Sequence, residues 1–236
     1  MKINRAHVSI LGGFLLFMNI SSTYIYGVLF PYLSSYLRNV SNSTITTKEV
    51  DIIILLDTFS QGIFVMLTAK FQSRFNERSY CFFVSVIYAA MWLLASLMKN
   101  PFLAIFFYGI GVGSAKGCFY LIPIYNAYRL FPNNKGKAAG IVFSGFAAGP
   151  LLWNSLLFQL TNPHNLEPQY DSRVKEEFFS NEVTNNLPGA IQILSLLQLF
   201  VGLIGSLLLA DSRFIEMQKN ESDFPNQNSK QGEFIA

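Results

Sequence analysis

Lys116 lies within FFYGIGVGSAKGCFYLIPIY and Asp57 within IIILLDTFSQG, each the one charged residue of an apolar stretch. An ammonium or carboxylate in such company has a narrow chemistry. It attracts a counter-charged solute, holds an ion or takes part in an internal pair. Lys116 is read here as a charge that attracts an anion. Asp57, Asn19, Tyr24, Tyr120 and Asn154 are the other polar groups expected within the membrane, suited to orienting a small solute. Each also fits an interhelical hydrogen bond. Lys116 and Tyr120 are four residues apart, as are Asn19 and Thr23, so each pair shares a helical face.

No enzyme chemistry is indicated. His7 and His164 are isolated, and no Ser/His/Asp set, Cys/His cluster or phosphate loop occurs. The glycines of GIGVG follow no strand, so they are not a dinucleotide fingerprint. Cys81 and Cys118 read as buried thiols, and no metal, cofactor or nucleic acid is expected.

These residues must be positioned by helices in lipid. Only 13% of the 236 residues are charged, against about a quarter in soluble domains. Apolar blocks at 8–30, 52–69, 80–98, 101–125, 138–160 and 187–210 each have a length that crosses a bilayer as a helix. The fold class expected is all-α and polytopic, followed by a polar, disordered tail from 211 to 236. Lys116 costs about 2.5–3.5 kcal/mol on insertion, and eleven Leu, Ile, Phe and Val residues of its span offset roughly 3–7 kcal/mol, so the helix inserts. Asp57 follows Asp51 by six residues and Lys116 follows Pro101 by fifteen. If those helices start level, the charges differ in depth by about 13 Å and do not pair directly.

Eleven Lys and Arg fall on the side of the termini and five on the other, which makes both termini cytoplasmic. Asn39 and Asn42 head glycosylation sequons in the first outer loop, read as Pro31 to Asp51. The stretch DSRVKEEFFSNEV in the last outer loop is expected to form a short interfacial helix. Gly109, Gly113 and Gly117 recur every four residues, and Gly145 and Gly149 repeat the spacing, giving bare stripes for close helix packing.

The stretch YRLFPNNKGKAAGIVFSGFAAGP, 128–150, resembles the loop between helices four and five in the oxalate/formate antiporter and monocarboxylate transporter branch of the major facilitator superfamily. Phe131-Pro132 and Lys135-Gly136 carry the likeness, with GIGVG before them and YGVLFPYL in the first span. The superfamily loop between helices two and three has the form G-x-x-x-D-R-x-G-R-[RK]. Here it reads AKFQSRFNER: Arg74 and Arg78 remain, Ser73 replaces the acid, and Ala69 and Asn76 replace the glycines. The resemblance covers the amino-terminal half of such a transporter only. It implies two inverted three-helix units, with helices one, two, four and five around a cavity.

The function expected is alternating-access transport of a small organic anion, a monocarboxylate or dicarboxylate-like metabolite. The partners expected are the lipid bilayer, the anion, a coupling proton or counter-anion, and a second six-helix half or a dimer mate. The alternative is a half-length membrane scaffold or regulator, or a truncated product, that transports nothing.

Overall fold

The computed structural model describes residues 5–41, 44–71 and 74–211. Within them six helices are long and apolar enough to cross a membrane: α1 (Arg5–Ser41), α2 (Thr47–Phe71), α3 (Glu77–Leu97), α4 (Pro101–Leu130), α5 (Pro132–Thr161) and α6 (Asn181–Leu208). The fold is all-α apart from one antiparallel hairpin between α5 and α6, β1 (Gln169–Asp171) and β2 (Glu176–Phe178). Asn42, Ser73 and the tail from 212 onward lie outside the described residues.

Local chemistry sets where the helices start. The Asn76 side chain accepts from the Arg78 amide at 3.0 Å, and Asn100 from Phe102 at 2.9 Å, just before Pro101. Both asparagines occupy N-caps, where a side-chain oxygen answers an orphan amide. Thr46 and Glu49 form a capping box ahead of α2.

Two expectations for the connecting segments fail. Helix α1 does not stop at Pro31 but runs through it to Ser41. Proline removes one ladder donor, yet the extension is held by packing. Tyr32, Leu33, Tyr36 and Leu37 are buried, Tyr32 lies 4.5 Å from the Phe179 ring, and the Arg38 guanidinium sits 4.0 Å over Phe178. The segment between α5 and α6 makes the hairpin in place of the expected short helix. The Asp171 carboxylate accepts from the Arg173 amide at 3.0 Å and its carbonyl from the Lys175 amide at 2.8 Å. With Lys175 at φ 57°, these bonds close a tight turn that a helix cannot contain. The hairpin then ties down its surroundings. Phe179 donates to Ser35 at 2.9 Å, Arg38 pairs with Asp171 at 3.2 Å, and Glu176 accepts from the Thr47 amide at 2.9 Å, at the positive end of α2.

In the bundle, α1 packs against α5 and α6, α2 against α4, and α3 against α4 and α6. Exchanging α1 with α4, α2 with α5 and α3 with α6 maps α1–α5 onto α2–α4 and α1–α6 onto α3–α4, and leaves α3–α6 in place. At the opposite end from the hairpin, Ser9, Asn126 and Ala210 close a buried triangle of hydrogen bonds of 2.6–2.8 Å that joins α1, α4 and the end of α6. Arg78 adds two bonds, 3.1 and 2.8 Å, to the Leu209 carbonyl, capping α6.

Candidate functional site

The glycine stripe decides the register of α2 on α4. A Cβ on Gly109 would meet Leu56 and the Ile53 carbonyl, one on Gly113 the Asp57 backbone and Ser60, and one on Gly117 the Gln61 carbonyl and Phe64. The facing residues Ile53, Asp57 and Gln61 keep a constant difference of 56 from their glycines, so the helices run parallel, backbone against backbone. Gly145 and Gly149 do the same for α5 on α1, against Phe14, Met18 and Ser21. These contacts leave no room for a side chain.

That register brings the two charges together. Lys116 Nζ donates to Asp57 Oδ2 in a buried ion pair, with Lys116 5% and Asp57 4% exposed. The expectation that they do not meet is therefore wrong, and the reason is the offset. Level starts would have paired Asp51 with Pro101, a difference of 50. The glycine contacts set it at 56, so α4 begins six residues earlier relative to α2 than assumed. Asp57 is then level with Gly113, three residues or about 4.5 Å above Lys116, within reach of a lysine chain. Nζ also donates to Thr23 Oγ1 on α1 at 3.3 Å.

Both α1 and α4 are irregular beside this pair. In α1, Ser21–Ile25 winds as a 3₁₀ segment, and in α4, Phe106–Gly111 widens into a π segment. Such windings free carbonyls from the regular ladder, and side chains take them up. Tyr26 donates to the Tyr108 carbonyl at 2.9 Å; the Ser60 hydroxyl has its shortest acceptor in its own helix, the Leu56 carbonyl at 2.7 Å, and lies 3.3 Å from the Gly109 carbonyl as an alternative acceptor. Ser21 and the Trp153 indole donate to Met18 at 2.8 and 2.7 Å. Ser22 and Tyr88 bond each other at 2.7 Å. The Tyr26 hydroxyl also stands beside the Asp57 carboxylate.

The other residues named from sequence divide. Tyr120, half-buried, is one turn beyond Lys116 and lies 5.6 Å from Phe17. Tyr24 is 59% exposed and faces Phe146 at 5.0 Å. Asn19 is fully buried and directed at Gly202 and Ser85, toward α6 and α3. It does not share the Thr23 direction as α-helical spacing predicts, because the 3₁₀ segment has three residues per turn and rotates the residues beyond Ile20. Both amide atoms of Asn19 and of Gln198, and Asn154 Oδ1, have no protein partner among the described residues. Tyr26 and Gln198 were missed as candidates; Thr23 was named only for sharing a face with Asn19, and its bond to Lys116 was not foreseen.

The loop residues lie away from the pair. Arg74 is exposed, 5.4 Å over Phe71. Phe131 packs its ring 5.4 Å from His7. Pro132 opens a 3₁₀ turn, and Lys135 and Gly136 begin the α-helical part of α5 on an open surface. Asn39, in the last turn of α1, is exposed, its amide donating to Thr184 at 2.9 Å. Among the described residues no group of three or more His, Cys, Asp and Glu is placed to hold a metal, and Cys81 and Cys118 are free thiols.

No family model matches the chain. It is 28% identical over 97 residues to monocarboxylate transporter 9 of Rattus norvegicus, and equally to that of Mus musculus. The matched stretch is 41% of this chain and 19% of each relative, so the relatives are about twice its length. The similarity is to a membrane transporter and not to an enzyme family.

Proposed function

We propose that the chain is one six-helix half of a major facilitator type transporter that moves a small organic anion by alternating access. The observation that carries this reading is the Asp57–Lys116 pair, buried between α2 and α4 where α1 and α4 both lose regular winding. Interrupted helices around a charge at mid-depth are a frequent way to build a transport site. The exchange of α1–α3 with α4–α6 supports two inverted three-helix units. In this reading the anion competes with Asp57 for Lys116, and Tyr24 and Tyr120 orient it. Asn154 and Asn19 offer unpartnered amide atoms nearby or deeper in the bundle. The glycine contacts let α2 slide on α4 and α5 on α1 without interlocked side chains. Arg74, Arg78, Phe131, Pro132, Lys135 and Gly136 belong to the cytoplasmic ends and their gating contacts. Both termini then face the cytoplasm, Asn39 and Asn42 face the side where glycans are added, and a second half or a dimer mate completes the cavity.

The test is Lys116→Ala in proteoliposomes loaded with a carboxylate panel. Expected is normal membrane insertion with anion uptake lost; unchanged uptake would remove Lys116 from the mechanism and this reading with it. A second reading draws on the near-complete burial of the pair: a static packing pair in a membrane scaffold that transports nothing. It requires that Lys116→Ala prevent bundle assembly.

A further inference from the structure

Five rings from three helices form one connected group. Phe17 on α1 lies 5.6 Å from Tyr120 on α4, and 5.1 and 6.0 Å from Phe143 and Phe146 on α5. Tyr24 on α1 closes the group at 5.0 Å from Phe146. Phe17 is fully buried, but Tyr24 is 59% exposed and Phe143 39%. The group therefore presents an open aromatic surface. It adjoins the charges: Tyr120 is one turn from Lys116, and Tyr24 follows Thr23 and lies in electrostatic reach of Asp57.

This arrangement sets where a solute gains its affinity. A carboxylate that binds Lys116 replaces the carboxylate of Asp57, exchanging like for like. The head group then brings little net Coulomb gain, since a buried charge that loses its partner is costly. Affinity must come from the rest of the solute, and the neighbouring surface is aromatic. Flat rings stack offset or edge-to-face on such side chains, with gain beyond plain burial. A head group of acetate size leaves these rings uncovered.

Resting on the transport reading above, we propose that the solute is an aryl or heteroaryl carboxylate, with its head on Lys116 and its ring among Tyr24, Tyr120 and Phe146. The test compares acids with the same head and different bodies: phenylacetate with acetate, and phenylpyruvate with pyruvate. Uptake by the complete protein in proteoliposomes is measured for each, less that of Lys116→Ala vesicles, which removes passive entry. The aryl acid of each pair is expected to half-saturate at a concentration about tenfold lower. In Phe146→Leu the ratio falls toward one; Tyr24→Leu, at an exposed position, serves the same purpose should the first variant not assemble. Equal half-saturation for both acids, or a ratio that survives in the assembled variants, overturns the proposal while the transport reading stands. Uptake of neither acid above the Lys116→Ala level overturns the transport reading and the proposal with it.

Discussion

Replacing both members of the Asp57–Lys116 pair is expected to harm the bundle less than replacing either one. Both side chains are about 95% buried, so neither regains water when its partner goes. A single Lys116→Met leaves a carboxylate whose other oxygen, Oδ1, already has no protein partner among the described residues. A single Asp57→Leu strands an ammonium with only Thr23. Losing one partner of a buried pair costs about 3–5 kcal/mol, whereas replacing both with apolar side chains is neutral or stabilising by about 1–4 kcal/mol. At roughly 2–4 °C per kcal/mol for a chain of this size, each single variant loses on the order of 6–20 °C and the double variant recovers it. The assay is a heat series in detergent followed by size exclusion, with the surviving monodisperse fraction giving the midpoint. Single losses that simply add in the double variant, or singles within about 1 kcal/mol of the parent, would refute the claim that these charges are unscreened and mutually dependent. The same double variant divides structure from function: a stable bundle with no anion uptake shows that the pair is retained for transport.

Gly113→Ala puts a methyl group against the Asp57 backbone and Ser60 and should cost about 1–3 kcal/mol, while Gly140→Ala, with nothing within 4 Å, should be neutral or stabilise by up to about 1 kcal/mol; thermal midpoints of the two variants check this. Arg78→Ala removes two charged bonds to the Leu209 carbonyl and should cost about 1.5–3 kcal/mol, seen as faster proteolytic cleavage after α6. At the hairpin, the Arg173 amide, then its side chain and Arg38, hold the Asp171 carboxyl below the usual range. A depressed folded pKa contributes stability that is complete above the unfolded value, about 3.9, and is lost as pH falls through the folded value. Spin-label distances between positions 40 and 172 should therefore hold at neutral pH and lengthen only below about pH 4, and Asp171→Asn should remove that dependence.

The six helices were legible because lipid allows few alternatives: a long apolar run with no water to satisfy its backbone must be helical. The glycine stripes were legible for a related reason, since a four-residue repeat falls on one face whatever the tertiary arrangement. Partnership was not legible. Whether Asp57 meets Lys116 depends on the register of α2 on α4, and no residue near Asp51 or Pro101 encodes how far one helix start projects past the other. The glycine spacing held part of that answer, but it names a sliding track and not a stop along it. Pro31 misled because its local cost was outweighed by Tyr32 and Arg38 packing on the hairpin. The hairpin was hidden because its turn depends on one lysine in a left-handed conformation.

In the transport reading, the two irregular segments link this register to movement. In a regular helix each carbonyl is taken by the amide four residues on, and changing that bond means unwinding a turn. Around the pair, side chains bond such carbonyls instead: Tyr26 at Tyr108 and Trp153 at Met18, with the Ser60 hydroxyl between the Leu56 carbonyl at 2.7 Å and the Gly109 carbonyl at 3.3 Å. A hydroxyl can rotate to another acceptor at the cost of one bond, without unwinding. Tyr26 and Ser60 are also neighbours of Asp57: one stands beside its carboxylate, and the other has the Asp57 carbonyl at 3.1 Å as a further acceptor for its one proton. Displacing Asp57 from Lys116 would therefore disturb the groups that stabilise the π segment of α4. Tyr26→Phe, which keeps the ring and its 5.1 Å stack on Phe30, isolates this link. It should lower the uptake rate more than it lowers the thermal midpoint, and an effect confined to the midpoint would leave the hydroxyl a packing group.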